Sequence, residues 1–246
     1  MNTQNDTDHS FPQKAMRFIA KTGFSRLARL MRRSHPEWHP RRWSNQELRR
    51  FGALFCGDFI NVSGWNDEDK QGDVYANYFP NKESYSISNF GGVRGVSDGG
   101  REVSLDLSLP PDGEFSGSYD VVFNHTTLEH VFDVSTAFDV LCDLTRDIVI
   151  LVVPFMQVEH WAKDSYRDYH RFTEFGITSY FVERGFSVLY ISSNHNPVFP
   201  IYFFCVASRQ PEKWGGKFPT GELAWQKYSE KGDYKRATGQ NYNIME

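Results

Sequence analysis

Cysteine is scarce in this chain: three in 246 residues, Cys56, Cys142 and Cys205. They are odd in number, widely separated and fit neither a CxxC nor a zinc spacing, which excludes a disulfide framework and a zinc ribbon. Cys142 falls in a helical pattern and Cys205 in an aromatic strand, where both read as small buried apolar residues. Long apolar runs are missing too. Runs such as Ile148 to Val153 fall far short of the roughly 20 residues a membrane-spanning helix needs. The N-terminus is polar, and its first apolar periodicity is broken by Lys and Arg, so a secretory leader is not expected. No internal repeat is visible. A reducing cytoplasm is the expected location.

Charge is small in sum and uneven in place. The net charge is −4, yet residues 1–50 carry eleven Lys/Arg against four Asp/Glu, leaving sixteen against twenty-seven for the rest. Three regions follow: a basic helical extension (1–50), a main domain (51–210) and a polar tail (211–246). Met16, Ala20, Phe24, Leu27 and Met31 fall on one helical face, with Lys14, Lys21, Arg29, Arg32 and Arg33 mostly elsewhere. Such a helix either packs its apolar face on the main domain or lies peripherally on an anionic membrane, at its inner face. A Pro- and Trp-containing connection (35–43) leads to a short helix starting near Ser44, where SNQE resembles a capping box. Arg41, Arg42, Arg49 and Arg50 alternate with Trp38, Trp43 and Phe51, but the core is acidic and no nucleic-acid motif is present, so nucleic acid is not an expected partner.

From Asp58 the pattern becomes short apolar runs between turns. Strands are predicted at 58–63, 84–88, 102–107, 119–124, 147–153, 186–193 and 200–208, with helices at 134–145 and 173–184. Thr173 caps the second helix and Gly185 closes it. Strands separated by helices imply a mainly parallel sheet. The loop between the last two strands is too short for a helical crossover, so they form an antiparallel hairpin.

The segment SYDVVFNHTTLEHVFD (118–133) places Asn124, His125, Glu129 and His130 in a polar turn at the carboxyl end of a buried strand, where open α/β sheets bind ligands. It resembles the fourth-strand motif of class I S-adenosylmethionine-dependent methyltransferases. VVPFMQVEHWAKDSYRDYHRFTEFGITSYFVERGF (152–186) resembles the strand and helix that follow in that family. INVSGW (60–65) also looks like the form found in methyltransferase-like proteins of polysaccharide clusters. The resemblance implies a Rossmann-like seven-stranded, mainly parallel sheet with a C-terminal antiparallel hairpin. It also implies S-adenosylmethionine as cofactor and a sugar, glycan or related metabolite as acceptor of an O- or N-methyl group.

The front of the sheet departs from the family pattern. Its Gly-x-Gly turn corresponds to Asn61, Val62, Ser63, Gly64 and Trp65, with only Gly64 keeping a permissive backbone. Asn89 stands where an acidic residue usually holds the ribose, a replacement that forfeits about 1–2 kcal/mol. Asp106 either approaches the adenine amino group or caps a turn. The resemblance thus assigns Asn61, Ser63, Gly64, Asn89, Asp106 and Asn124 to the cofactor.

A hydroxyl acceptor benefits from a base active near neutral pH, a role suited to His160 first and His125 second. Glu129 and His130 read as orienting the turn and capping its helix. Asp168, Tyr169 and Arg171 either shape the acceptor site or pin their loop by an Asp168–Arg171 pair. The spacings His125/His130 and His160/His170 match no compact helical metal site, so no metal is assigned. Two other readings stay open: a non-catalytic methyltransferase-like module in glycan assembly, and, ranked last, a nucleotide-sugar transferase.

Overall fold

The computed structural model describes residues 39–91, 101–111, 113–163, 165–194 and 201–219. The basic amphipathic segment 14–33 and the tail from 220 lie outside them. Element order is α1 (Pro40–Gly52), β1 (Gly57–Val62), β2 (Lys82–Asn89), β3 (Arg101–Ser104), β4 (Tyr119–His125), α2 (Val134–Leu144), β5 (Thr145–Pro154), α3 (Glu174–Val182), β6 (Ser187–Ser193) and β7 (Tyr202–Ser208), with short 3-10 turns at Tyr75–Tyr78, Leu128–His130 and Pro211–Trp214.

The seven strands form one sheet in the order β3-β2-β1-β4-β5-β7-β6. β1 through β5 run parallel, while β7 pairs antiparallel with both β5 and β6. The reversal of strand order between β1 and β4 opens a crevice at their carboxyl ends. Both faces are covered, which is why β5 reads as an unbroken apolar run. Val149, Leu151 and Val153 face one core with Phe138, Leu141, Ile177 and Phe181 from α2 and α3. Ile148, Ile150 and Val152 face the other, with Trp43, Leu48 and Phe51 from α1 and the ring cluster Phe59, Phe79 and Phe123.

Local chemistry sets the helix ends. Asp133 caps α2, accepting from the Thr136 amide at 3.1 Å, and Thr173 caps α3, accepting from the Gly176 amide at 3.1 Å. The start of α1 differs from the expectation. His39 is its cap and Pro40 its first residue, so Ser44 lies a turn inside and is fully buried. The capping-box pattern at SNQE failed because Pro40, with φ preset for a first turn, starts the helix earlier. The boundary drawn at residue 50 falls inside this helix, whose apolar face is part of the second core. No helix among the described residues is long and apolar enough to cross a membrane.

Candidate functional site

The carboxyl ends of β1, β3 and β4 open onto a cleft of about 390 Å³, within the range of roughly 300–1,000 Å³ usual for small-molecule sites. Ser63, Asp106 and His130 supply polar groups to its wall, Phe90 and Leu105 apolar surface, and Tyr166 and Tyr169 close it from the connection after β5.

The turn after β1 is built differently from a glycine-rich loop. Ser63 and Trp65 hold the left-handed backbone, at φ 57° and 55°, while Gly64 does not. Gly64 is required for closeness: a Cβ there would meet the Asn61 side chain at 2.8 Å. Asn61 is buried and donates to Asp67 Oδ1 at 2.8 Å, so its amide braces the loop and is not on the cleft wall. Asn89 accepts from the Trp65 amide at 2.9 Å and donates to the Trp65 carbonyl and to Glu102 Oε1, both at 2.8 Å. It clamps the same loop to β2. Asp106 caps its turn, its Oδ1 accepting from the Ser108 amide at 2.8 Å, and it also lines the cleft.

Asn124 and His125 turn away from the cleft. Asn124 is fully buried and donates to the Val62 carbonyl at 2.9 Å, while its Oδ1 has no hydrogen-bond partner among the described residues. His125 lies under α1, with Arg41 Nη1 2.8 Å from its Nδ1 and Ser44 Oγ 2.9 Å from its Nε2. Arg41 can only donate, so Nδ1 accepts; Nε2 then carries the proton and donates to Ser44 Oγ, which donates to the Arg41 carbonyl at 3.1 Å. Burial, with the neighbouring Arg41 charge, holds this imidazole well below its ordinary pKa. His125 is a neutral lock between helix and strand.

Two other basic residues of α1 are engaged as well. Arg49 pairs with Asp69 at 3.3 Å and Arg50 with Glu47 at 3.6 Å. Asp67-Glu68-Asp69 has the Asp-x-Asp spacing that a nucleotide-sugar transferase uses for its metal. Here, however, Asp67 accepts from Asn61, Tyr85 and the Ala76 amide, and Asp69 from Tyr78, Arg49 and two backbone amides. These carboxylates brace the loop after β1.

The chemistry concentrates at the opposite wall. Glu129 is fully buried, neither carboxylate oxygen has a hydrogen-bond partner among the described residues, and burial pushes its carboxyl up to about 8. It caps nothing, contrary to expectation; Asp133 caps α2. His130 Nδ1 donates to the Arg167 carbonyl at 2.7 Å, and burial lowers the imidazole pKa. The proton on Nδ1 leaves Nε2 as a lone pair, 3.8 Å from Glu129 Oε1. The His160 ring stands edge-on to His130 at 5.1 Å between centroids.

Asp168 anchors His160 by accepting from its backbone amide at 2.7 Å, and lies 3.1 Å from its Nδ1. Two hydrogen bonds from Arg171, at 2.6 and 2.7 Å, hold the Asp168 carboxyl down to about 2. The expected Asp168–Arg171 pair is therefore present, and Tyr169 reaches the cleft wall as well. The turn residues Glu129 and His130 meet His160 only in three dimensions, since thirty residues separate His130 from His160. Of the other wall residues, Phe90 lies in no motif, while Tyr166 and Arg167 lie within the segment 152–186 with no sequence signal that singles them out.

No protein-family model and no curated protein sequence matches the chain. Solved structures similar to it include an S-adenosylmethionine-dependent methyltransferase from Mesorhizobium loti, at TM-score 0.50 and 13% identity over 67% of this chain and 96% of that one. Another, from Clostridium acetobutylicum, aligns at TM-score 0.50 and 9% identity over 75% of this chain and 98% of that one. The likeness is one of fold: a Rossmann-like seven-stranded sheet, mostly parallel, with antiparallel C-terminal strands.

Proposed function

We propose that the protein is an S-adenosylmethionine-dependent methyltransferase that methylates an oxygen or nitrogen of a sugar, glycan or related polar metabolite. The observation that carries this reading is the cleft at the ends of β1, β3 and β4, at the strand-order reversal of a sheet shared with methyltransferases. The residues present fit the cofactor at two ends. Asp106 offers a carboxylate to an adenine amino group beside the apolar Phe90 and Leu105, and Ser63 offers a hydroxyl on a left-handed turn where the methionine part belongs.

When bound, the cofactor supplies a methyl group on an already positive sulfur, so alignment is the chain's main task. Tyr166 and Tyr169 give the acceptor side ring faces, while Arg167 and His130 give it polar groups, a combination suited to a hydroxyl-bearing ring. His160 is not itself on the cleft wall but stands edge-on to His130, which is, and this reading assigns it the acceptor's proton. Peripheral contact of the basic segment 14–33 with an anionic membrane belongs to the same reading. Co-sedimentation with anionic vesicles that survives deletion of residues 1–33 would reject it.

One observation favours a second reading, a non-catalytic methyltransferase-like module. At the position of the usual ribose-binding carboxylate, the Asn89 amide is engaged by Trp65 and Glu102. Calorimetric titration with S-adenosylmethionine and S-adenosylhomocysteine separates the two. Micromolar binding, weakened by substitution of Asp106, is expected; no heat up to millimolar ligand would overturn the enzyme and favour the module.

A further inference from the structure

We propose that Glu129, His130 and His160 bind a divalent first-row transition-metal ion at the acceptor side of the cleft. Each side chain offers one ligand atom, and the three atoms lie within 4.8 Å of one another. Ligand bonds of about 2.0–2.2 Å in a tetrahedral shell separate neighbouring ligand atoms by about 3.4 Å, so the three need close in by at most about 1.4 Å. Glu129 Oε1 and His130 Nε2, at 3.8 Å, are almost there. His160 comes from the connection after β5 with a third of its side chain exposed, so its ring has room to turn.

The orphaned carboxylate carries the inference. A buried carboxylate that served only the fold would accept hydrogen bonds from its surroundings, since an unpartnered one is costly. Both oxygens of Glu129 are buried without such a partner among the described residues, beside the unprotonated nitrogen of His130. Supporting contacts of the kind that orient metal ligands are already present. The Arg167 carbonyl fixes the His130 tautomer, and Asp168, clamped by Arg171, holds the His160 backbone by accepting from its amide.

Two imidazoles and one carboxylate suit zinc, manganese, iron or cobalt better than magnesium or calcium, which favour all-oxygen shells. Because His130 lines the cleft, an open coordination position would face the space assigned to the acceptor, whose hydroxyl would become more acidic on coordination. His160 would then act as ligand instead of base. The inference uses the cleft of the methyltransferase reading but not the methyl transfer itself.

The test is titration of the full chain, stripped with a chelator, with Co²⁺ followed by visible absorption and displacement by Zn²⁺. One ion per chain is expected, weakened at least about tenfold in Glu129→Gln and in His160→Ala and unchanged in His170→Ala, whose ring bonds to the Phe132 carbonyl outside the cluster. Glu129→Gln keeps the shape of the turn, and His160→Ala removes a ring that is a third exposed, so one variant checks the other. No Co²⁺ bound by the wild-type chain at millimolar metal, or equal affinity in both variants, would overturn the site. S-adenosylmethionine binding is read in the same preparation. Cofactor bound without metal removes this inference alone, and metal bound without cofactor removes the methyltransferase reading alone.

Discussion

Asp106 and Asp168 show how one residue type takes opposite roles through its neighbours. Asp106 uses one oxygen to hold its turn and leaves its charge at the cleft wall. Asp106→Asn preserves the acceptor for the Ser108 amide but removes that charge. A charged hydrogen bond exceeds a neutral one by about 1–1.5 kcal/mol, so S-adenosylmethionine affinity by calorimetry is expected to fall by about tenfold. Unchanged affinity would place the adenine elsewhere. Asp168 is nearly inaccessible, and Arg171 lowers its pKa to about 2. A folded-state pKa below the unfolded one contributes stability above the unfolded value, of about 4, and loses it as pH falls through the folded value. The stability gap between wild type and Asp168→Asn, by urea denaturation, is therefore expected to be full above about pH 4, at roughly 2 kcal/mol, and to shrink towards pH 2. A gap that stays constant with pH would show that Arg171 does not hold this carboxylate.

At the scale of elements, α1 matters most, because it is both a core element and the cover over the end of β4. Its apolar residues pack on the sheet while Arg41 and Ser44 satisfy His125 from above. Arg41→Ala would leave a buried imidazole nitrogen short of its donor. It is expected to cost about 1–3 kcal/mol in urea denaturation, with cofactor affinity unchanged because His125 does not line the cleft. At the other end of α1, Gly52 sits against the turn before β2, where a Cβ would lie 2.0 Å from the Tyr78 carbonyl oxygen. That oxygen belongs to the backbone, so Gly52→Ala must shift a whole segment and is expected to cost at least about 1–3 kcal/mol. An unaltered denaturation midpoint would mean that α1 is not seated this closely. The extent of α1 was hard to read because Ser44 and Glu47 imitate a capping box in sequence, whereas Pro40 and the His39 ring do the capping in space.

For the molecule as a whole, cofactor, sheet and acceptor wall form one equilibrium. A ligand that binds only the folded state stabilises it by about 2.7 kcal/mol at a concentration of 100 Kd. S-adenosylhomocysteine is thus expected to raise the melting temperature of the full chain, and to do so less in Asp106→Asn at equal concentration; a melting curve indifferent to it would speak for the non-catalytic module. The sequence by itself determined the sheet. Period-two and continuous apolar runs, caps at Thr173 and a short final loop placed all seven strands, and burial on both faces of β5 left hardly any other arrangement for such a run. It also marked the edge of the sheet where the cleft lies, because polar residues following buried strands can only emerge at strand ends. Only the tertiary structure decided which of those polar side chains face the cleft. Asn61, Asn89, Asn124 and His125 are engaged in holding loops and α1, while Ser63 and Asp106 remain on the wall. It alone brought Glu129 and His130 to His160. The reason is physical: periodicity records burial along one element, whereas the direction of a polar side chain depends on which donors and acceptors other segments bring to it.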